Sequence, residues 1–167
     1  MSICPCLPFP NPILKRVSTP VQSVDDQVRA IWADMVDTME AMPGLGLAAP
    51  QIGYNLRLAV VDCSIERGQA ILMANPEILH ASAQMRDHEE ASPNLPGVGA
   101  VIARSRAVMV RYLNGQGLIE ERDFVQVWAT SVQHQIDHLN GKLYFDHLSP
   151  LRRKMLLARA QKLESRA

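Results

Sequence analysis

The stretch Gln133-His-Gln-Ile-Asp-His-Leu-Asn-Gly141 is the part of the chain that decides the fold. The apolar stripe that leads into it repeats at helical spacing and consists of Val125, Trp128, Ala129, Val132, Ile136 and Leu139. This pattern predicts a helix from about Asp123 to Leu139, which Asn140-Gly141 ends with a left-handed turn. His134 and His138 then fall on the side of the helix opposite that stripe.

The two histidines lie one helical turn apart, so both imidazoles can reach one metal ion, as in hydrolases with an H-E-x-x-H helix. The spacing alone is weak evidence, because histidines four residues apart on a helix are also common as ordinary surface or core residues. Gln135 occupies the place of the glutamate, and an amide cannot take a proton from a metal-bound water. The motif therefore indicates either ordinary helix histidines or a metal-binding helix without its general base.

Two further helices and a strand-rich middle complete the predicted order of elements. Pro43-Gly44 ends the first helix, which Ser23 is predicted to cap and whose buried face consists of Val28, Ile31, Trp32, Met35, Val36 and Met39. A half-buried strand is predicted at 55–62, followed by strands at 70–73, 78–86, 100–104, 107–113 and 118–121. Ser149 and Pro150 begin a third helix near the C-terminus. Helix, strands, helix and helix in this order predict an α+β fold.

Length and composition favour one folded domain over residues 1–167. The 17 Lys and Arg balance the 17 Asp and Glu, so the formal net charge is +0 and a nucleic-acid partner is not expected. No apolar run approaches the roughly 18 residues of a membrane span, and the proline-rich first residues predict an irregular arm rather than a signal peptide. We therefore expect a cytoplasmic protein without a membrane partner, whose three cysteines, Cys4, Cys6 and Cys63, stay reduced.

The small-residue loop Gly44-Leu-Gly-Leu-Ala-Ala-Pro-Gln51 precedes the first predicted strand. It lacks the Gly-Lys-Ser/Thr ending of a P-loop and the strand-to-helix context of a dinucleotide turn, so a nucleotide site is not expected. The loop can bring its backbone and the amide of Gln51 close to a ligand. It can equally be a tight connection that packs Leu45 and Leu47 into the core.

Taken together, these segments resemble the peptide deformylase family over nearly the whole chain. Residues 44–51 match the family's first motif at every fixed position, and residues 133–141 match its third motif, Q-H-E-x-D-H-L-x-G, at all but the glutamate. The segments P-N-P-I-L-K at 10–15 and L-Y-F-D-H-L-S at 143–149 also resemble the family's flanking segments. The resemblance implies antiparallel sheets around a central helix that bears both histidines, with N-terminal and C-terminal helices.

The same resemblance implies a site and a reaction. The family removes the N-formyl group from the N-terminal methionine of nascent proteins by metal-dependent hydrolysis, with divalent Fe, Zn or Ni. It implies that His134, His138 and Ser92 occupy the metal-ligand positions. Gln135, Gln51, Gly46 and Pro93 occupy the catalytic ones. We expect one cleft that Gly46, Gln51, Ser92 and the two histidines line.

The second motif, E-G-C-L-S before a hydrophobic residue and proline, aligns with Glu90-Ala-Ser-Pro-Asn-Leu-Pro96 and departs from the family. Ser92 replaces the metal-binding cysteine, and a neutral hydroxyl is a far poorer ligand than a thiolate. Pro93 replaces a residue whose backbone N–H contacts the developing oxyanion, and proline has no N–H. Gly99 stands where the family usually carries an arginine. With Gln135, four changes fall on one site, and only the Gln51 amide is expected to remain as a donor.

Two main hypotheses follow, and a third is weaker. The first is a deformylase-like protein with little or no activity and weak or absent metal, which keeps a cleft for N-terminal peptide segments or nascent chains. The second is an active metal-dependent amidohydrolase whose third ligand is displaced to Asp87, His88, Glu89 or Glu90. For these residues a solvated strand end, or for Glu90 a supporting carboxylate, is the plainer interpretation. The third is a structural partner of another deformylase chain; the sequence leaves the oligomeric state open.

Overall fold

A computed structural model describes residues 2–167, which form three helices and seven strands. The helices are α1 Asp26–Ala41, α2 Gln126–Leu139 and α3 Pro150–Ser165. The strands are β1 Gly46–Ala48, β2 Leu58–Val61, β3 Ile71–Ala81, β4 Met85–Ser92, β5 Leu95–Ser105, β6 Ala107–Leu113 and β7 Ile119–Val125. Short 3-10 turns occupy Pro12–Lys15, Ala49–Ile52 and Tyr144–His147.

All strands pair antiparallel, in one sheet of order β1-β2-β3-β6-β7 and a separate β4-β5 hairpin. Helix α2 contacts β1, β2 and β7 of the large sheet and also β5 of the hairpin. It is therefore the central helix between the two sheets. The predicted α+β fold, with antiparallel strands around the helix that carries both histidines, is confirmed.

Strand β2 of the large sheet is buried on both faces. Ala59 and Val61 belong to the core cluster that packs on α2, whereas Leu58 and Val60 belong to the cluster that packs on α1. Successive side chains of a strand point to opposite faces, so the continuous run L-A-V-V has a helix on each side. The sequence-based prediction of a half-buried strand at this position is wrong, because all four residues are fully buried.

Two strand predictions, 70–73 and 78–86, correspond to one strand and the beginning of another. β3 runs through Asn75-Pro76 because Asn75 adopts φ +51° and the register shifts between Ala74 and Glu77. The Asn75 side chain is held in this bulge by two hydrogen bonds with the backbone of Val21, at 2.9 and 2.8 Å. A bulge thus lets a proline lie inside a paired strand.

The helix ends differ from prediction at two places. Asp25, not Ser23, caps α1, since its side chain accepts a hydrogen bond from the Val28 amide at 2.8 Å. Residues 123–125 belong to β7, and α2 begins only at Gln126, whose φ of +57° turns the chain from strand to helix. The cap of α3 is confirmed, because Ser149 accepts from the Arg152 amide with Pro150 in the first turn.

The N-terminal arm, residues 2–11, has no regular structure, as the prolines predict, and it lies along the wall of the candidate site. The Leu7 amide donates to the carbonyl of Gln51 at 2.9 Å, and the Phe9 amide donates to the carbonyl of Asn94 at 2.8 Å. The three cysteines are free thiols. Within residues 2–167, no helix has both the length and the apolar character that a bilayer span needs.

Candidate functional site

The second half of α2 holds the two histidines with their ring nitrogens facing each other. Their Nε2 atoms lie 3.2 Å apart, and both rings are buried. A metal–nitrogen distance of about 2.0–2.1 Å places two tetrahedral ligands about 3.3 Å apart. The pair is therefore spaced as two ligands of one ion.

Glu90 fixes the orientation of His134. Its Oε1 lies 2.7 Å from His134 Nδ1, and Arg104 Nε and Nη2 donate to the two carboxylate oxygens at 2.6 and 2.9 Å. Burial alone would raise the pKa of Glu90, but the hydrogen bonds from His134 and Arg104 and the charge of Arg104 outweigh it and lower the pKa to about 2. Glu90 is thus anionic, and its carboxylate faces His134 Nδ1 so that His134 Nε2 faces His138.

Arg104 continues this network away from the site. Its Nη1 donates to Asp137 Oδ2 at 2.8 Å, and the same oxygen lies 2.7 Å from Nε2 of the surface residue His147. The guanidinium is 5% exposed and is saturated by two carboxylates, so its charge is compensated inside the protein. Glu90 is therefore a supporting carboxylate, and its position behind His134 does not suit the displaced-ligand role that the second hypothesis offered it.

His138 lies deeper than the site itself. It is 1% exposed, and its Nδ1 has no hydrogen-bond partner among residues 2–167. Burial, together with the charges of His134 and Arg104, holds the pKa of His138 well below its usual value, so the ring is neutral. The prediction that both histidines line the cleft is wrong for His138, which lies behind His134.

Ser92 is buried at the end of β4, and its hydroxyl is engaged with the adjacent turn. The Ser92 hydroxyl donates to Asn94 Oδ1 at 3.1 Å and accepts from the Asn94 amide at 3.3 Å. Gln51 Nε2 is a third neighbour, at 3.5 Å. The turn is Pro93-Asn94, because Ser92 pairs with Leu95 across the hairpin. The oxygen at the family's cysteine position is thus already hydrogen-bonded on its own side of the cleft.

Asn94, which the sequence did not single out, connects the segments that form the walls of the site. Its side-chain amide donates to the carbonyls of Leu7 and Gln51, and its Oδ1 accepts from Gln51 Nε2 at 2.8 Å. It therefore joins the N-terminal arm, the small-residue loop and the hairpin. The Pro-Asn pair between two strands indicated a turn, but no sequence signal showed which segments the asparagine would connect.

Gln51 is 1% exposed, and both ends of its amide have partners. Its Oε1 accepts from the Ala48 amide at 2.9 Å, and its Nε2 donates to Asn94 and faces Ser92. The expectation that this amide remains an intact oxyanion donor differs from the structure. Its N–H groups are directed toward Ser92 and Asn94, which occupy two positions of the family's second motif.

Gln135 and Gly46 form the floor of the site. A Cβ atom on Gly46 would lie 2.7 Å from Gln135 Nε2 and 2.8 Å from Ser131 Oγ, so only glycine permits this close approach. Gln135 is 4% exposed, and its Oε1 has no hydrogen-bond partner among the described residues. A neutral, buried amide with a free acceptor therefore occupies the place where the family carries its carboxylate.

A cleft of about 440 Å³ lies between the three motif segments, each of which contributes residues to its walls. Of the predicted site residues, those that line it are Gly46, Gln51, Ser92, Pro93, His134 and Gln135. His88, Glu89 and Glu90 also reach the cleft, whereas Asp87 borders a separate hollow with His147. Gly99 lies outside the cleft against the backbone of β4, where a Cβ would meet the Glu90 carbonyl at 2.9 Å.

The residues present fit only part of a metal site. His134 and His138 supply two suitably spaced nitrogens, but the position of the third ligand carries the hydroxyl of Ser92, which is bound to Asn94. Within residues 2–167, no group of three or more His, Cys, Asp or Glu side chains is arranged around one point. The family's three-ligand donor set is therefore not reproduced, and we derive no step through a metal.

The fold and the cleft are those of an α+β protein in which a helix with two histidines four residues apart forms the floor of a hydrolase site. The family model for polypeptide deformylase matches residues 3–154. A peptide deformylase of Phenylobacterium zucineum is 43% identical over 97% of both chains, and one of Brucella suis is 38% identical over 99% of this chain and 95% of its own. The chain belongs to the peptide deformylase family.

Solved structures agree with this assignment. A peptide deformylase from Legionella pneumophila superposes with a TM-score of 0.92 at 36% identity, covering 98% of this chain and 96% of its own. A peptide deformylase from Ehrlichia chaffeensis, solved in complex with actinonin, gives 0.92 at 30% identity over 98% and 99%. The resemblance noted from the sequence motifs is thus confirmed for family and fold.

Proposed function

We propose that this protein is a member of the peptide deformylase family that binds N-terminal peptide segments, including those of nascent chains, with little or no hydrolytic activity. The observation that carries the proposal is the chemistry of the cleft wall. Ser92, Pro93 and Gln135 occupy the positions of a metal ligand, an oxyanion donor and the general base, and none of the three can supply that function. The shape of the cleft remains open to a chain end.

Glu90, the carboxylate bonded to His134, does not take over the role of the missing base. Glu90 is close to His134, but its pKa of about 2 makes it a very weak proton acceptor at neutral pH. Its oxygens are also held by Arg104 and His134. A general base contributes about 10²–10⁴ in rate, and one oxyanion donor about 10²–10³. Their joint loss supports a protein that binds and does not turn over.

A second candidate function is active metal-dependent deformylation or amide hydrolysis with a displaced third ligand. The 3.2 Å separation of the two Nε2 atoms favours it, because that spacing suits a shared ion. His88, Glu89 and Glu90 are the displaced candidates that reach the cleft, and of these Glu90 is already bonded to Arg104 and His134. Metal content separates the two functions, since the first requires no stoichiometric divalent Fe, Zn or Ni after dialysis against a mild chelator, and the second does.

The decisive experiment measures hydrolysis of an N-formyl-methionyl peptide by the unmodified protein and by variants. We expect no detectable turnover by the unmodified protein or by Gln135→Glu alone, because the third ligand is still a hydroxyl. Ser92→Cys with Gln135→Glu should recover metal and some turnover, limited by Pro93. Turnover at ordinary enzymatic rates by the unmodified protein, with metal bound, would refute the proposal and establish the second function.

Peptide binding is tested separately with the same peptides. Formylated and unformylated methionyl peptides carrying a fluorophore at the C-terminus should bind saturably, and Gly46→Leu should abolish binding because its side chain would fill the space beside Gln135. Leu45→Ala is the matched control, because it changes the exposed rim of the cleft and leaves the floor intact. Absence of saturable binding by a folded protein would contradict the binding role and favour a structural partner of another chain. We expect the protein to act in the cytoplasm, where nascent chains are exposed.

A further inference from the structure

The polar groups of the cleft wall suit one form of a peptide N-terminus better than the other. A methionyl peptide presents either a neutral N-formyl group or a free α-amine, which is mostly a cation at pH 7 because its pKa is about 7.7–8.0. The formyl oxygen needs hydrogen-bond donors, whereas an ammonium needs acceptors and a compensating negative charge. The donors and acceptors that border the cleft therefore discriminate between the two forms.

Three potential donors at the cleft wall are used within the protein or are missing. Gln51 Nε2 donates to Asn94 Oδ1 at 2.8 Å, and the Ser131 hydroxyl donates to the carbonyl of Leu45 at 3.1 Å. Pro93 has no N–H to offer. A formyl oxygen placed against these groups would be left without a partner, and an unpaired buried carbonyl costs free energy.

Gln135 supplies a free acceptor in the floor of the same cleft. The residue is 4% exposed, and its Oε1 has no hydrogen-bond partner among residues 2–167, while its Nε2 packs against Gly46. A buried acceptor without a partner is unfavourable, so a ligand N–H that bonds to it removes a cost that the unbound protein carries. An ammonium has three N–H groups for this purpose, whereas a formamide has one.

Glu89 gives the cleft a negative charge. It borders the cleft, and its carboxylate takes part in no ion pair within residues 2–167. Its Oε1 lies beside Gly99, 3.3 Å from the position that a Cβ atom would occupy there. No lysine or arginine is among the described residues that border the cleft. Because the attraction between charges extends over several ångströms, Glu89 favours an ammonium without direct contact.

We infer that the cleft selects peptides with a free α-ammonium over their N-formylated forms, with Gln135 as the hydrogen-bond acceptor and Glu89 as the compensating charge. The inference rests on the proposed function, since it concerns the peptide that the same cleft binds. The ligand is thus a chain that has already lost its formyl group. The class of reaction that supplies it is a deformylation carried out by another enzyme.

Fluorescence anisotropy tests this selection with one methionyl peptide in three forms, free, N-formylated and N-acetylated, each with the same C-terminal fluorophore. At pH 7 the unmodified protein should bind the free form about ten-fold more tightly than either neutral form. Glu89→Gln should lower the affinity for the free form about three-fold and leave the neutral forms unchanged. Gln135→Met, of similar size, should lower the affinity for the free form about ten-fold, because it removes the acceptor.

Asp87→Asn is the matched control, because it removes the same charge from the same strand at a side chain that borders a separate hollow. It should keep the full preference, and circular dichroism checks that each variant is folded. If the neutral forms bind as tightly as the free form, the inference is overturned while peptide binding stands. If none of the three forms binds, the proposed function itself is contradicted. A preference that survives both cleft substitutions, or that Asp87→Asn reduces as much as Glu89→Gln does, also overturns the inference.

Discussion

Replacement of Arg104 by methionine tests whether the buried ion pair behind His134 stabilises the fold. The change keeps much of the apolar stem but removes the cation that faces Glu90 at 2.6 Å and Asp137 at 2.8 Å. A carboxyl whose pKa falls from 4.5 to about 2 on folding contributes about 3 kcal/mol to stability above pH 4.5. His134 and Arg104 share this contribution. Breaking a buried pair by removing one partner typically costs about 3–5 kcal/mol, and we take the lower end of that range for Arg104→Met because His134 remains bonded to Glu90.

The direction of the Glu90 pKa shift determines how the stability difference changes with pH. Because the pKa of Glu90 is depressed in the folded protein, its contribution is complete above 4.5 and is lost as the pH falls from 4.5 toward about 2. Urea unfolding should therefore show a difference of about 3 kcal/mol between Arg104→Met and the unmodified protein at pH 7, shrinking below pH 4.5.

A matched variant separates burial from charge. Arg111→Met breaks the pair with Glu121, in which both side chains are nearly half exposed, so it should cost no more than about 1 kcal/mol. If Arg104→Met costs no more than Arg111→Met, or if its cost is the same at pH 7 and at pH 3, the reasoning about the buried pair is refuted.

Three further substitutions test the close contacts of the site. Gly46→Ala should lower the free energy of unfolding by about 1–3 kcal/mol in urea, because its Cβ would meet Gln135 Nε2 at 2.7 Å, and Gln135→Ala in the same chain should recover part of the loss. Gly141→Ala should lower the melting temperature more than Gly46→Ala, since φ is +75° and the Cβ would lie 2.5 Å from the Lys15 carbonyl oxygen. Asn94→Ala should cost about 1–3 kcal/mol, because it removes the donor to the Leu7 carbonyl and the acceptor of the buried Gln51 amide, and amide exchange in the N-terminal arm should become faster. An unchanged exchange rate would contradict its role as the link.

Helical periodicity and capping predicted most of the helices, because those signals are local. The start of α2 was missed since residues 123–125 continue the apolar pattern of the helix while they pair with β6, and pairing across strands is not encoded in periodicity. The bulge at Asn75 was missed for a related reason. The side chain that stabilises it bonds to Val21, 54 positions earlier in the chain.

The candidate site was predictable as a set of residues but not as a set of contacts. Motif positions predicted Gly46, Gln51, Ser92 and His134 as cleft residues, and all four line it, whereas His138, predicted with them, lies behind His134. The orientation of the Gln51 amide toward Asn94 depends on where the hairpin turn lies against the loop. The pairing of Arg104 with two carboxylates likewise depends on the contact of three elements, β4, β5 and α2. Such long-range contacts give no signal in the sequence of any single segment.

The connection at Asn94 also has a consequence for the order in which the molecule is completed during synthesis. The arm at Leu7 leaves the ribosome before Asn94, yet its carbonyl is bonded only once Asn94, 87 positions later in the chain, has been made. The floor of the cleft, at His134 and Gln135, is made later still. Contacts so distant in sequence form slowly because the intervening chain must be closed first. The cleft should therefore be among the last parts of this protein to assemble, after α1 and the first strands have already been made.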